Sequence, residues 1–206
     1  MNPIEILKKE KVFAVLRIQE QDRLKKTIDA LYKGGIKAVE AVIETPETAL
    51  AIEEITQMKN RPMIMAGGII TQRQAQAAVK MGADAIISPI CGINLARLCK
   101  SRKTPLIMTA ATPNEAYNAW MAGTQLIKIS PASPMGGAEY IEDILRPMKF
   151  LSVIAAGSIQ IDEAPLYLKA GAAAAGLGRA LYKDADYAEI SRRAERVCRA
   201  VQQAGA

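Results

Sequence analysis

One lysine occupies a position where a charged side chain is unusual. Lys128 lies in the middle of the run QLIKIS, residues 125–130, which Pro131 follows directly, and aliphatic neighbours of this kind are typical of a buried strand. Lysine is rarely buried unless a partner or a reaction requires it. Burial disfavours the ammonium form, and a neutral amine can attack a ketone to form a Schiff base. A lysine near a strand end can instead extend its ammonium group to water, so this segment alone leaves both interpretations open.

A lone acid has a similar setting earlier in the chain. Glu40 lies within AVEAVI, residues 38–43, a second aliphatic run. Two opposite charges that project from aliphatic strands into one interior can pair, and a buried ion pair is by itself weak support for a function. The functional interpretation is a Schiff-base lysine with a carboxylate that transfers protons.

The residue types that are missing or rare exclude several chemistries. The chain has 206 residues and no histidine, which excludes histidine triads and histidine metal ligands. Its three cysteines, Cys91, Cys99 and Cys198, form no Cys-x-x-Cys motif. They fit a reducing compartment better than a zinc site or a disulfide framework. We therefore predict a cytoplasmic enzyme without a metal or another cofactor.

Charge and hydropathy argue against a polymer or membrane partner. The formal net charge is +6, which favours acidic small molecules. The basic residues are spread along the chain and aromatic residues make up only 4%, so the stacking platforms of nucleic-acid binders are missing. No run approaches the ~18 apolar residues of a membrane span, and the N-terminus lacks the apolar core of a signal peptide. We predict no nucleic-acid partner and no membrane association.

The chain alternates short aliphatic runs with amphipathic, helix-like segments. Eight such units predict one (β/α)₈ barrel domain over residues 1–206, with a short helix at residues 4–9 that covers one end. A doubly wound sheet would need a glycine-rich turn after its first strand, whereas the first run here continues as LRIQ, residues 16–19. The eight runs are residues 12–16, 38–43, 63–66, 85–87, 106–108, 125–130, 153–155 and 172–175.

Polar residues and glycines gather where these runs end. In a barrel of this kind, function lies at the carboxyl ends of the strands. Glycines after the seventh and eighth strands can present backbone N–H groups to a phosphate, although turns after strands need glycine anyway. The run ends contain Arg17, Glu40 with Glu44, Gly67-Gly68, Ser88-Pro89, Thr109, Lys128, Gly157-Ser158 and Gly178-Arg179.

Five motifs together resemble one enzyme family. They are GGIKAVE at 34–40, AGG at 66–68, ISP at 87–89, TPNE at 112–115 and KISPA at 128–132. In order and spacing they resemble the 2-keto-3-deoxy-6-phosphogluconate (KDPG) and 4-hydroxy-2-oxoglutarate (KHG) aldolases over residues 12–182. The resemblance implies that Lys128 forms a Schiff base with pyruvate, that Glu40 is the acid/base residue and that Arg17 borders the active site. It also implies a homotrimer of barrels and no metal.

Several positions depart from the pattern of that family. Gly68 replaces a threonine that contacts the keto acid, and Glu44 replaces an arginine that binds the substrate carboxylate. Ser130 replaces a phenylalanine, and Arg179 replaces a serine. Thr109 occupies the position of a glycine after the fifth strand, and AAGS at 155–158 replaces Pro-Thr-Gly-Gly. The chemical pair is therefore retained, while much of the substrate shell differs.

These observations predict a class I aldolase that cleaves or forms a 2-oxo-4-hydroxy acid, with pyruvate and an aldehyde as the other reactants. One alternative is an aldolase of altered specificity, and another is a non-catalytic barrel that binds a small oxo acid or phosphate. A third is an enzyme from another phosphate-binding barrel family. The predicted catalytic residues are Lys128 and Glu40, the substrate-binding residues are Arg17, Gly68, Pro89 and Thr109, and the phosphate-binding residues are Gly157, Ser158, Gly178 and Arg179.

Overall fold

Eight parallel strands close into a barrel. The computed structural model describes residues 2–204, and within them each strand pairs with the next along the chain, while β8 pairs with β1. This confirms the predicted (β/α)₈ fold. The strands are β1 (Val12–Leu16), β2 (Ala38–Val42), β3 (Met63–Gly67), β4 (Ala85–Ser88), β5 (Leu106–Ala110), β6 (Leu126–Ile129), β7 (Val153–Ala156) and β8 (Ala175–Leu177).

Several of the helices around the barrel begin at a threonine that caps the helix. Thr45, Thr71 and Thr112 each accept a backbone N–H at the start of a helix, which satisfies donors that a helix N-terminus leaves unpaired. The helices are α1 (Pro3–Glu10), α2 (Gln21–Lys33), α3 (Pro46–Thr56), α4 (Gln72–Lys80), α5 (Ile93–Ser101), α6 (Pro113–Met121), α7 (Gly137–Leu145), α8 (Ala164–Lys169), α9 (Arg179–Tyr182) and α10 (Tyr187–Ala204).

The last strand lies further along the chain than the aliphatic pattern predicted. The predicted run at 172–175 is wrong as a strand, because β8 spans Ala175–Leu177. Its position is set by pairing with β1: the Ala175 N–H donates to the carbonyl of Lys11, and Gly176 lies opposite Phe13. An alanine run has no alternation from which such a register can be read.

The helix α1 closes the amino-terminal end of the barrel, as the short helix predicted at residues 4–9 implied. Its Ile4 and Leu7 are buried in the same interior cluster as the first residues of several strands, including Ala38, Met63 and Leu126. The open end is therefore the carboxyl end of the strands.

The one-domain prediction spans residues 1–206 and stays a prediction. Met1, Gly205 and Ala206 lie outside the described residues. Within residues 2–204, no helix combines the length and the apolar character that a membrane span requires.

Candidate active site

Strand alternation directs the two predicted catalytic side chains into the barrel. On β6, Ile127 and Ile129 pack in the layer between strands and helices, whereas Leu126 faces the interior. Successive residues of a strand point to opposite faces, so Lys128 shares the inner face with Leu126. On β2 the same alternation places Glu40 inside, because Ala38 belongs to the interior cluster.

Lys128 and Glu40 form a buried ion pair across the barrel interior. Nζ of Lys128 donates to Oε2 of Glu40 at 2.6 Å, and the exposed fractions of the two side chains are 9% and 4%. Acid/base catalysis requires this kind of hydrogen-bond distance between the groups that exchange a proton. The geometry therefore allows one group to take a proton from the other without any movement of the backbone.

Gly67 leaves the space that the Glu40 side chain occupies. A Cβ at Gly67 would lie 2.8 Å from Oε1 and 2.9 Å from Cγ of Glu40, closer than real contacts allow. The sequence interpretation took Gly67 as part of a turn and missed this role. The available signal was a glycine inside a strand, which often marks a close approach of another group.

Two residues with hydroxyl groups lie close to Lys128, one on the neighbouring strand and one directly after β6. Thr109 of β5 is the register partner of Lys128 and is half-buried, and its hydroxyl makes no hydrogen bond within the described part of the chain. Ser130 follows β6, and its Oγ lies 3.1 Å from the position that a Cβ on Gly157 would take. Thr109 is therefore placed beside the lysine, as a substrate-contacting residue must be.

Arg17, a predicted substrate-binding residue, contacts a carboxylate of the protein itself. Its Nη1 lies 2.6 Å from Oε1 of Glu44, and the two side chains are 62% and 35% exposed. The backbone N–H of Arg17 donates to the hydroxyl of Tyr182 at 3.4 Å. The pair joins the ends of β1 and β2 at the open end of the barrel, and the sequence analysis did not anticipate it.

The other predicted substrate-binding residues follow β3 and β4. Gly68 has a φ of +77°, a conformation that side chains with a Cβ rarely adopt. A threonine would be strained in this turn as it stands. Pro89 is exposed directly after β4, and the hydroxyl of the buried Ser88 accepts the N–H of Ile90 at 3.3 Å.

All four predicted phosphate-binding residues lie at the same end of the barrel. Gly157 has a φ of +103°, and a Cβ there would lie 2.7 Å from Cα of Pro131. Ser158 is exposed, and Gly178 packs near the carbonyl of Val15. Arg179 begins α9, is exposed and makes no ion pair with any described residue.

One further acidic residue near this end accepts hydrogen bonds from backbone N–H groups. Glu115 accepts hydrogen bonds from the N–H groups of Ala111 and Thr112, and these bonds hold the pKa of its carboxyl below the usual range. A carboxylate held in this way suits helix capping better than proton transfer. Within residues 2–204, no group of histidine, cysteine or acidic residues could hold a metal ion.

Comparison with known proteins identifies the family of this chain. The family model described as KDPG and KHG aldolase matches residues 4–193. The chain belongs to that family. A 2-dehydro-3-deoxy-6-phosphogalactonate aldolase of Escherichia coli K12 is 28% identical over 84% of each chain. A 2-dehydro-3-deoxy-phosphogluconate aldolase of Treponema pallidum is 27% identical over 80% of this chain and 78% of its own.

Solved structures of aldolases have the same architecture. A native KDPGal structure superposes with a TM-score of 0.86 at 26% identity, over 94% of this chain and 95% of its own. A KDPG aldolase of Legionella pneumophila, with pyruvate captured as a covalent carbinolamine, superposes with a TM-score of 0.83 at 25% identity, over 91% of this chain and 93% of its own. The predicted function, a class I aldolase that releases pyruvate and an aldehyde, is thereby confirmed as the activity of the family.

Proposed function

We propose that Lys128 is the Schiff-base lysine of a class I aldolase and that Glu40 transfers the protons of the reaction. The observation that supports this most directly is the buried contact of 2.6 Å between their side chains at the open half of the barrel. A buried lysine held by one carboxylate combines a nucleophile with its base.

The reaction begins with loss of a proton from Lys128 to Glu40. The neutral Nζ adds to the C2 carbonyl of the 2-oxo acid, and the carbinolamine loses its hydroxyl as water after Glu40 returns a proton. The protonated imine then accepts the electron pair of the C3–C4 bond while Glu40 takes the proton of the C4 hydroxyl. An aldehyde leaves, the enamine is protonated at C3, and water releases pyruvate and the free lysine.

The remaining predicted site residues have roles around this pair. Arg17 would exchange Glu44 for the substrate carboxylate, and Gly68, Pro89 and Thr109 would line the keto-acid half. Gly157, Ser158, Gly178 and Arg179, the predicted phosphate-binding residues, would contact the aldehyde half. Their common position at the carboxyl ends of the strands supports these roles.

We further propose a cytoplasmic homotrimer that works without a cofactor. The three cysteines are free, which suits a reducing compartment. A chain of a designed, cube-shaped protein cage made by fusing symmetric oligomeric domains superposes with a TM-score of 0.87 at 26% identity, over 95% of this chain and 73% of its own. Sedimentation should give three times the 22.2 kDa mass of one chain.

Borohydride trapping tests the proposed mechanism. The protein is incubated with pyruvate and borohydride, and the modified peptide is identified by mass spectrometry. We expect a reduced pyruvate adduct on Lys128. Lys128→Met should lose both the adduct and aldolase turnover, because Nζ of Lys128 is the amine that contacts Glu40. Lys80→Met, on the exposed face of α4, is the matched control and should retain both.

Two results would reject this proposal. Measurable turnover by Lys128→Met would exclude Lys128 as the nucleophile. A folded wild-type protein that binds pyruvate saturably but forms no adduct would instead support a barrel that binds a small oxo acid without catalysis.

A further inference from the structure

Three charged side chains stand immediately outside the barrel strands at the open end. Among residues 2–204, the charged residues in the first two positions after a strand's carboxyl end are Arg17, Glu44 and Arg179. They follow β1, β2 and β8, which are neighbours in the closed barrel. A substrate that enters the barrel therefore meets its strongest charges on this side of the mouth.

Two of these three charges compensate each other. Glu44 contacts Arg17 at 2.6 Å, whereas Arg179 makes no ion pair with any described residue. Deeper in the barrel, Glu40 compensates Lys128 in the same way. The mouth and the interior together thus present one uncompensated positive charge.

The acidic residues further from the strand ends do not make the open end of the barrel more favourable for an anionic ligand. Asp162 pairs with Arg196, and Glu115 accepts backbone N–H groups. Glu47 and Glu139, in the first turns of α3 and α7, are exposed and make no ion pair within residues 2–204. These acidic residues therefore provide no positive charge that could pair with additional negative charge on a ligand.

We propose that Glu44 is a specificity residue that selects a substrate with a single negative charge. On this view, which rests on the proposed aldolase function, the barrel prefers a 2-oxo acid whose aldehyde half is a neutral polyol over the phosphorylated equivalent. The carboxylate of the oxo acid offsets the single net positive charge of Arg17, Glu44 and Arg179, and a phosphate would add up to two further negative charges.

The contact of Glu44 with Arg17 makes this discrimination possible. The pair is solvent-exposed, so it is weak enough for Arg17 to turn towards a ligand. Glu44 stays at the mouth when that happens, and its charge repels every further negative charge within a Debye length of about 8 Å. The helix after β8 offers little compensation, because α9 has four residues and a short helix has a small dipole.

Two aldehydes that differ only in the phosphate provide the test. Condensation of pyruvate is measured with D-glyceraldehyde and with D-glyceraldehyde 3-phosphate, in wild type, Glu44→Gln and Glu47→Gln. We expect wild type to have the higher kcat/KM with the neutral aldehyde. Glu44→Gln should shift the ratio of the two kcat/KM values towards the phosphorylated aldehyde by roughly tenfold, mainly through KM, because one repulsive charge is lost.

The control variant removes the same charge from the same helix start without touching Arg17, and Glu47→Gln should keep the wild-type ratio. A wild-type preference for the phosphorylated aldehyde, or equal ratios in the two variants, would overturn the inference. Pyruvate trapping on the same preparations distinguishes a failure of the proposed Glu44 role from a failure of the aldolase mechanism. An adduct on Lys128 with an unshifted ratio rejects the role of Glu44 alone, whereas no adduct in wild type rejects the aldolase mechanism and this inference with it.

Discussion

Glu40 depends on a neighbour that has no side chain. The carboxylate reaches Nζ of Lys128 because Gly67 on the adjacent strand leaves the space beside Oε1 and Cγ. A buried ion pair is useful for proton transfer only while its geometry is held, since the rate of such a step falls steeply with misplacement. At the scale of single residues, the contact between Glu40 and Lys128 therefore depends on the absence of a side chain at Gly67 as well as on the hydrogen bond itself.

Gly67→Ala should lower kcat by about 100-fold, because the new Cβ would displace Glu40 from the lysine. The fold should persist, since Gly67 has no positive φ and a methyl group is small. Steady-state kinetics together with circular dichroism checks both statements. Gly92→Ala is the matched control, because a Cβ there would meet only Cβ of Leu95 at 3.6 Å. Full activity in Gly67→Ala would mean that Glu40 can shift without consequence.

At the scale of elements, the sequence predicted the strands that bear the proposed catalytic pair and misplaced the last strand. Lys128 and Glu40 stood out because a lone charge inside an aliphatic run is conspicuous. The run at 172–175 gave the wrong bounds because four consecutive alanines show no alternation of apolar and polar residues. The position of β8 at Ala175–Leu177 follows from its pairing with β1. The pair of Arg17 with Glu44 was also beyond the sequence, because it depends on how two loops approach each other in space.

The helix α1 shows how an element far from the chemistry maintains the barrel. Leu7→Ala should lower the free energy of unfolding by roughly 2–5 kcal/mol, because the side chain is fully buried in the interior cluster. The value of kcat should change little, since the mouth lies at the opposite end. Leu50→Ala on α3, where the leucine is 51% exposed, should stay within about 0.5 kcal/mol of wild type. Urea unfolding measures both variants, and equal losses of stability would show that α1 does not contribute to the core.

At the scale of the whole molecule, the buried thiol of Cys99 and the partly buried thiol of Cys198 make stability depend on alkaline pH. Burial raises the pKa of Cys99 on α5 and of Cys198 on α10 to about 11 each. In the unfolded chain, a cysteine ionises near pH 8.5. The folded protein thus binds these protons more tightly, so their contribution to stability is complete below pH 8.5 and is lost as pH rises towards 11.

Urea unfolding should therefore show that the wild type is less stable at pH 10.5 than at pH 8. The decrease should be smaller in the double variant Cys99→Ala/Cys198→Ala. The double variant retains every lysine and tyrosine of the wild type, so the difference between the two proteins isolates the thiols. Cys91→Ala is the control, because Cys91 is exposed and its pKa is raised less. If all three proteins lost equal stability between the two pH values, the thiols would not be the cause. The expected order would instead show that the packing of α5 and the packing of α10 both contribute to the pH dependence of stability, because each thiol is shielded from water only while its helix stays packed.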